Sequence, residues 1–477
     1  MADFFTAGER KIRPGVHQRY LADDEIKSPS GARDGYCAIA IRATWGPLGE
    51  ITEHTGVSSV LKMYGKDDYS SSSTVKAAIK MFEGGAKTLR IFRMGTGGMR
   101  GTYEIKNGAQ TILNAIAKHE GDKDIKLSIA PKLGDTKNKV LSIYETDTEV
   151  ESFIFACDAS DETHNLMKAA ARSEYIVFEK IGDGVVPNVS VAEGVLAGGQ
   201  NPTVTNESYS KAWEALDRFY YNTIALDIDD DENLTLSKML HDYIALSYST
   251  GKQSIGVVGE KTDVAYVQRL ENAESFNDAK IVYFGDAYQL ANGDREEGVF
   301  AICKVAGLIA ATPSSEGITH KQLPGAVKLL EQRTNSQYED AIRRGMLLLS
   351  ASADGVIWFD SGINTLTTLG EGQDEGWKKI RRVKTRFEAM DRIDRAIAVK
   401  IGRINANTDG IAEVIQTGQG ILNDMATMEG KLYPGSQFML DEKSPPTSDS
   451  AWFVIEAIDI DSLEHIYLGY LFRFQNI

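Results

Sequence analysis

Chemistry needs nucleophiles, bases and ligands within reach of one another, and this chain spaces few of them that way. Acyl transfer through a serine requires a histidine base and an orienting carboxylate beside it. Lys252-Gln-Ser254-Ile-Gly256 misses the Gly-x-Ser-x-Gly elbow by one residue, and His241 stands between Leu240 and Asp242 on a predicted helix. His241 therefore reads as a partly buried structural histidine. A phosphate cradle of the Gly-x-x-x-x-Gly-Lys-Ser/Thr kind is absent, and Gly95-Thr-Gly-Gly-Met-Arg-Gly101 lacks the lysine and a clear following helix. The acidic run Asp227-Ile-Asp-Asp-Asp-Glu-Asn233 alternates carboxylates, but a calcium loop wants glycine where Glu232 stands and glutamate where Lys238 stands. It reads as a solvated loop. Cys37, Cys157 and Cys303 lie far apart without paired spacing, so they make neither a metal knuckle nor a disulfide framework. They read as buried small hydrophobes in a reducing compartment, where the Asn-x-Ser/Thr strings at Asn188, Asn206 and Asn233 carry no sugar. No catalytic, cofactor-binding or metal residue is assigned, no cofactor is expected, and the chain does not read as an enzyme.

Charge is the more informative chemistry. The formal net charge is -16, which argues against a phosphate-backbone partner, because nucleic-acid binding needs a basic face that releases counterions. Within this acidic chain, Lys378 to Arg403 holds ten Lys or Arg against Glu388, Asp391 and Asp394. Such segregation suggests an acidic partner. Ile380, Val383 and Phe387 fall at helical spacing and should pack inward. No run approaches the length of a membrane span and the N-terminus has no signal-peptide core, so synthesis and assembly in the cytoplasm, without membrane insertion, are expected.

The elements that position these residues follow from periodicity. At 477 residues the chain should divide into several domains. Residues 1–20 show little apolar rhythm around the turn Arg13-Pro14-Gly15-Val16 and read as an arm. Residues 21–99 read as an α/β part: strand 36–41, a helix carrying Val75, Ala78, Ile79 and Phe82, a Gly84-Gly85 stop, and strand 88–93. Short alternating stretches separated by Gly, Asp and Asn mark 100–205 as a mainly β insertion. From 206 to 360 the α/β rhythm returns, with strands at 223–228, 254–258 and 280–284 and helices around Leu236 to Ile244 and Val299 to Ile309. A parallel, doubly wound sheet closes such a pattern. Ser336 and Glu339 have capping-box spacing for a helix ending near Gly345. Residues 361–465 hold one long charged helix, and 466–477 an apolar strand, Ile466 to Phe474.

That tail, with Ile466, Tyr467, Leu468, Tyr470 and Phe472, is too apolar to be left frayed. An arm of about 20 residues at roughly 3.3 Å each reaches about 65 Å, beyond the roughly 23 Å radius of gyration of a compact chain this long. Either arm can cross to a neighbour and add to an exposed sheet edge.

Four strings in order, Arg13-Pro-Gly-Val, Phe82-Glu-Gly-Gly-Ala, Gly362-Ile-Asn-Thr-Leu-Thr-Thr and Lys378-Lys-Ile-Arg-Arg-Val-Lys-Thr-Arg-Phe, resemble the contractile tail sheath family across nearly the whole chain. The resemblance implies a subtilisin-like doubly wound α/β core, an inserted β-sandwich, a C-terminal α+β domain facing an inner tube, and extended terminal arms that pair with neighbours. It implies a homo-oligomeric helical sheath of sixfold rings with tail tube, baseplate and tail terminator proteins as partners, in a virion tail or tail-like particle. By family position, Lys378, Lys379, Arg381, Arg382 and Lys384 are expected to meet the tube, and Arg13 to Val16 and Ile466 to Phe472 to link subunits. A subtilisin-fold hydrolase and a monomeric binding module are the alternatives.

Overall fold

The computed structural model describes residues 3–4, 17–18, 31–107, 109–157, 161–181 and 189–473. Arg13-Pro14-Gly15-Val16 and nearly all of the expected N-terminal arm lie outside them. The fold is mixed α/β and built in several layers. Its centre is a seven-stranded sheet in the order Met346–Leu347, Ile281–Phe284, Ile255–Gly259, Thr223–Ala225, Tyr36–Ile41, Thr88–Arg93, Ile51–His54. Every neighbouring pair is parallel except the last.

The two faces of the sheet follow from the period-two alternation of strands. Cys37, Ile39 and Ile41 point into one apolar cluster with Val257, Val282 and Phe284. Ala38 and Ala40 point into the other with Ile281, Tyr283 and Trp213. Helices Val75–Glu83 and Gly298–Ala311 cover the first face; Asn206–Leu216, Thr235–Ser249 and Tyr266–Phe276 cover the second. Gly298–Ala311 is buried along nearly its whole length, which is why its sequence is apolar all round. It crosses Val75–Glu83 backbone to backbone. A Cβ on Gly84 would collide with the Lys304 carbonyl, and one on Gly307 with that of Met81.

Between Thr102 and Val195 the chain forms a four-stranded and a three-stranded antiparallel sheet around one apolar core, with helix Glu162–Ala170 beside them. The outgoing and returning connections pair at Thr96 with Thr203, Met99 with Gln200 and Thr102 with Ala197. The glycine-rich 95–101 segment is thus a ladder between two units. Gly199 and Gly121 approach so closely that a Cβ on Gly199 would overlap the Gly121 carbonyl.

The C-terminal part departs from the sequence reading in three places. It holds two long helices, Ile380–Ala398 and Thr408–Thr427. Glycine at 410, 418 and 420 hides the second from a propensity reading, yet Gly418 is the seat on which the Phe438 ring rests. A hairpin, Gln437–Leu440 with Phe453–Glu456, packs onto that helix. Finally, Ile466 to Arg473 is not a strand among the described residues and pairs with none of the described strands. Elsewhere the capping box belongs to Thr334 and Gln337, not Ser336 and Glu339, and opens helix Asn335–Arg343.

Candidate assembly interface

In doubly wound sheets the ligand crevice lies where strand order reverses, beyond the carboxyl ends of the strands. Here that point lies between Tyr36–Ile41 and Thr223–Ala225, and the protein fills it with its own side chains. Arg42 pairs with Asp227 at 3.3 Å, and the same carboxylate accepts from Thr74 at 2.7 Å and Tyr209 at 2.5 Å. Burial raises the Asp227 pKa against the opposing pull of Arg42. His241 lies one layer away, its Nε2 3.1 Å from Asp278. No serine hydroxyl bonds His241 among the described residues, and Ser254 is buried. Three or more His, Cys, Asp or Glu grouped to hold a metal do not occur among the described residues, nor does a helix long and apolar enough to cross a membrane. Cys37 and Cys303 are buried, and burial lifts the Cys37 thiol to about 12; Cys157 is only partly covered.

The acidic run is only in part the solvated loop its composition suggests: Asp231, Glu232 and Asn233 are exposed, but Asp227 is buried and Asp229 and Asp230 are partly covered. Asp229 accepts the Val299 amide at 2.7 Å at the start of Gly298–Ala311, and Asp230 accepts the Ser237 amide at 2.6 Å and the Leu236 amide at 3.1 Å at the start of Thr235–Ser249. Carboxylates at helix N-termini satisfy orphan N–H groups and complement the dipole.

The basic helix Ile380–Ala398 is likewise absorbed from within. Ile380, Val383 and Phe387 enter the core on one face of the sheet, as their spacing predicts. Lys384 does not reach a surface, which corrects its place among the tube-facing residues. It is buried, and its Nζ donates to the carbonyls of Ile309, at 2.6 Å, Ala310 and Thr312, capping the end of Gly298–Ala311. Burial lowers its pKa to about 8. The other four candidates are half-covered and partnered. Lys378 pairs with Glu375 at 3.1 Å, Lys379 with Glu464, Arg381 with the Ser462 hydroxyl at 2.9 Å, and Arg382 with Asp459 at 2.7 Å. Arg386 joins Asp459 at 3.0 Å. Burial works against ionisation of Asp459, yet hydrogen bonds from Arg382 and Arg386 hold its carboxyl below the usual range. Lys379, Arg381, Arg382 and Arg386 are thus engaged by this chain's own segment 459–464. The run Asp459-Ile-Asp-Ser-Leu-Glu464, complementary to the helix some 80 residues before it, is the signal that could have revealed this.

Past Glu464 the chain leaves the body. Ile466 is 68% exposed, Tyr467 92%, Tyr470 74% and Phe472 87%, and the rings of Tyr470 and Phe472 stack 6.3 Å apart. Nearby, the hairpin has no third strand among the described residues. Gln419 covers its inner edge, accepting the Phe438 amide and donating to the Ser436 carbonyl, both at 2.9 Å. Phe453–Glu456 has no such cover among the described residues, and Val454 and Ile455 within it and Trp452 before it are exposed. An apolar, uncovered strand edge is a template for another chain.

Residues 203–365 match the family model described as the phage tail sheath protein central domain. The Bacillus subtilis (strain 168) protein YqbK is 24% identical over 409 residues, covering 80% of this chain and 78% of that one. Among solved structures, the sheath tail protein of Desulfitobacterium hafniense superposes with a TM-score of 0.67 at 19% identity, covering 94% of this chain and all 100% of the other. The sheath tail protein of Listeria innocua gives 0.69 at 18%, covering 91% and 96%. The helical sheath of the anti-feeding prophage in its contracted state gives 0.52 at 12%, covering 97% and 99%. The resemblance to the contractile tail sheath family holds at both levels: residues 203–365 match the phage tail sheath central domain, and the chain shares the mixed α/β fold of the two sheath tail proteins over 94% and 91% of its length.

Proposed function

We propose that the chain is the structural sheath subunit of a contractile, phage-tail-like injection machine, polymerising as stacked sixfold rings around an inner tail tube. The observation that carries this reading is the exposed apolar segment from Ile466 to Phe472, together with the hairpin edge Phe453–Glu456, which pairs with no third strand among the described residues. A tail and a strand edge that both lack a partner among the described residues are arranged for exchange between copies. Main-chain hydrogen bonds from a neighbour's tail would extend the hairpin, and the N-terminal arm would make a second link. Such contacts are heterologous, so they generate rings and helices instead of closed dimers. In this reading the parallel α/β core is subtilisin-like, the two antiparallel sheets between Thr102 and Val195 are the inserted β-sandwich, and the C-terminal part turns to the tube; the mixed α/β fold shared with sheath tail proteins supports it. Tube contact by Lys378, Lys379, Arg381 and Arg382 would use the sides of these residues left free by their internal partners.

In this reading the extended sheath is metastable and the contracted packing lower in free energy, so assembly energy drives the tube without a nucleotide. Baseplate and terminator proteins cap the two ends, and no nucleic acid is bound. Negative-stain electron microscopy of the purified protein, over a range of concentrations and with and without its tube protein, tests the proposal. Hollow striated cylinders are the expected result; compact single particles under every condition would overturn it.

A further inference from the structure

Both extensions are rooted on one element. On the C-terminal side, Arg382 grips Asp459 through Nε at 2.9 Å and Nη2 at 2.7 Å, Arg386 joins at 3.0 Å, and Arg381 donates to Ser462 at 2.9 Å. Glu464 takes Lys379 on one side and the Thr319 hydroxyl, at 2.6 Å, on the other. Two backbone hydrogen bonds, Tyr433 to Ile458 at 2.8 Å and Ile460 to Lys431 at 3.0 Å, hold the same stretch. Residues 465–473 are all exposed.

On the N-terminal side, the continuous described chain begins at Gly31, whose carbonyl accepts from Arg395 at 2.9 Å. Two residues on, Arg33 pairs with Asp391 and lies 3.6 Å above the Tyr220 ring. Asp391 is shared with Arg395 at 2.9 Å. The 31–33 root and the 459–464 root therefore meet the same helix, Ile380–Ala398.

Helical geometry then separates them. At about 100° per residue, Asp391 lies about 180° around the axis from Arg382, and Arg395 about 180° from Arg386, with about 14 Å of rise between the members of each pair. The helix itself is fixed by interior groups: Lys384 on the carbonyls ending Gly298–Ala311, Glu388 on Lys431 at 2.7 Å, and Arg392 on Glu429 at 2.6 Å.

We infer that Ile380–Ala398 is the common anchor of the two terminal extensions, holding the 459–464 root on its first turns and the 31–33 root on its last. Tension between neighbours then passes from arm to arm along this helix and bypasses the central sheet. The tension statement rests on the extensions being inter-subunit links; the anchoring does not.

Amide hydrogen exchange on the full-length chain separates the two statements. Arg382→Ala with Arg386→Ala, and the isosteric Asp459→Asn, should each lower protection of the Tyr433 and Ile460 amides about tenfold or more. Protection at Ile39 and Val257 in the sheet, and at Gly35 beside the other root, should hold. Asp391→Asn should do the converse, loosening 31–35 and sparing Ile460. Under conditions where the unaltered protein forms cylinders, both sets should give few or short ones. Unchanged protection at Ile460, or protection lost equally at Ile39 and Val257, would overturn the anchoring. Loosened roots with cylinders like those of the unaltered protein would overturn the tension path. If the unaltered protein forms no cylinders, the sheath reading and the tension path fall together, while exchange still decides the anchoring.

Discussion

Arg382 and Asp459 stand 77 positions apart and meet in a two-pronged ion pair, with Nε–Oδ2 at 2.9 Å and Nη2–Oδ1 at 2.7 Å. The fork geometry fixes the carboxylate in plane as well as in distance. It turns a helix that reads as a grip for some other protein into one already engaged by its own chain.

The glycine crossing is the least tolerant point in the core. Gly84→Ala or Gly307→Ala drives a methyl into the Lys304 or Met81 carbonyl, and neither helix backbone has room to yield. A loss of about 3 kcal/mol is expected, at the upper end of ordinary overpacking. Urea unfolding checks it; a change below about 1 kcal/mol would show that the two helices slide apart freely.

Asp229 acts on a helix 70 residues away. Asp229→Ala removes the acceptor of the Val299 amide and the partner of Lys261, and should cost about 1 to 2 kcal/mol, as loss of an N-cap does. Asp229→Asn, which keeps an acceptor, should cost less. Thermal unfolding of both variants separates the cap from the charge.

Lys384 gives stability a distinctive pH dependence. Its pKa is about 8 in the folded chain because burial disfavours the ammonium, against about 10.4 when unfolded. Between those values the unfolded chain binds more protons, so stability rises with pH across that window, by a few kcal/mol at most. Below pH 8 both states carry the proton and the contribution is flat. Lys384→Met should remove this rise, seen as a difference between the two denaturation curves from pH 7.5 to 10.5; parallel curves would refute it.

Removing residues 466–477 should leave the melting temperature of the monomer unchanged, since the described part of that segment is exposed and unpaired. The same deletion, and deletion of residues 1–20, should abolish cylinder formation in electron micrographs. Ordinary cylinders from both deletions would show that the arms are not the links.

What could be read in advance follows a physical divide. Strands such as Tyr36–Ile41 and helices such as Gly298–Ala311 are announced locally, because burial on both sides demands unbroken apolar residues and a Gly-Gly pair stops the helix before Thr88. Inward packing of Ile380, Val383 and Phe387 was legible for the same reason. Roles set by a distant partner were not. Asp227 to Asp230 looks hydrated until Thr235–Ser249 and Gly298–Ala311 present their N–H groups to it. Lys384 looks like a surface cation until the end of another helix presents its carbonyls to it. Gly418 argues against a helix until Phe438 shows what the missing side chain makes room for.

The ladder from Thr96–Thr203 to Thr102–Ala197 has an evolutionary consequence. Because the chain leaves and returns through adjacent, hydrogen-bonded strands, the double sheet between them is a graft on a closed stem. Its length, loops and surface can be rewritten, or the whole unit exchanged for another, without shifting the register of Thr88–Arg93 or the entry into Asn206–Leu216. Variation among relatives should therefore concentrate in the graft and spare the stem.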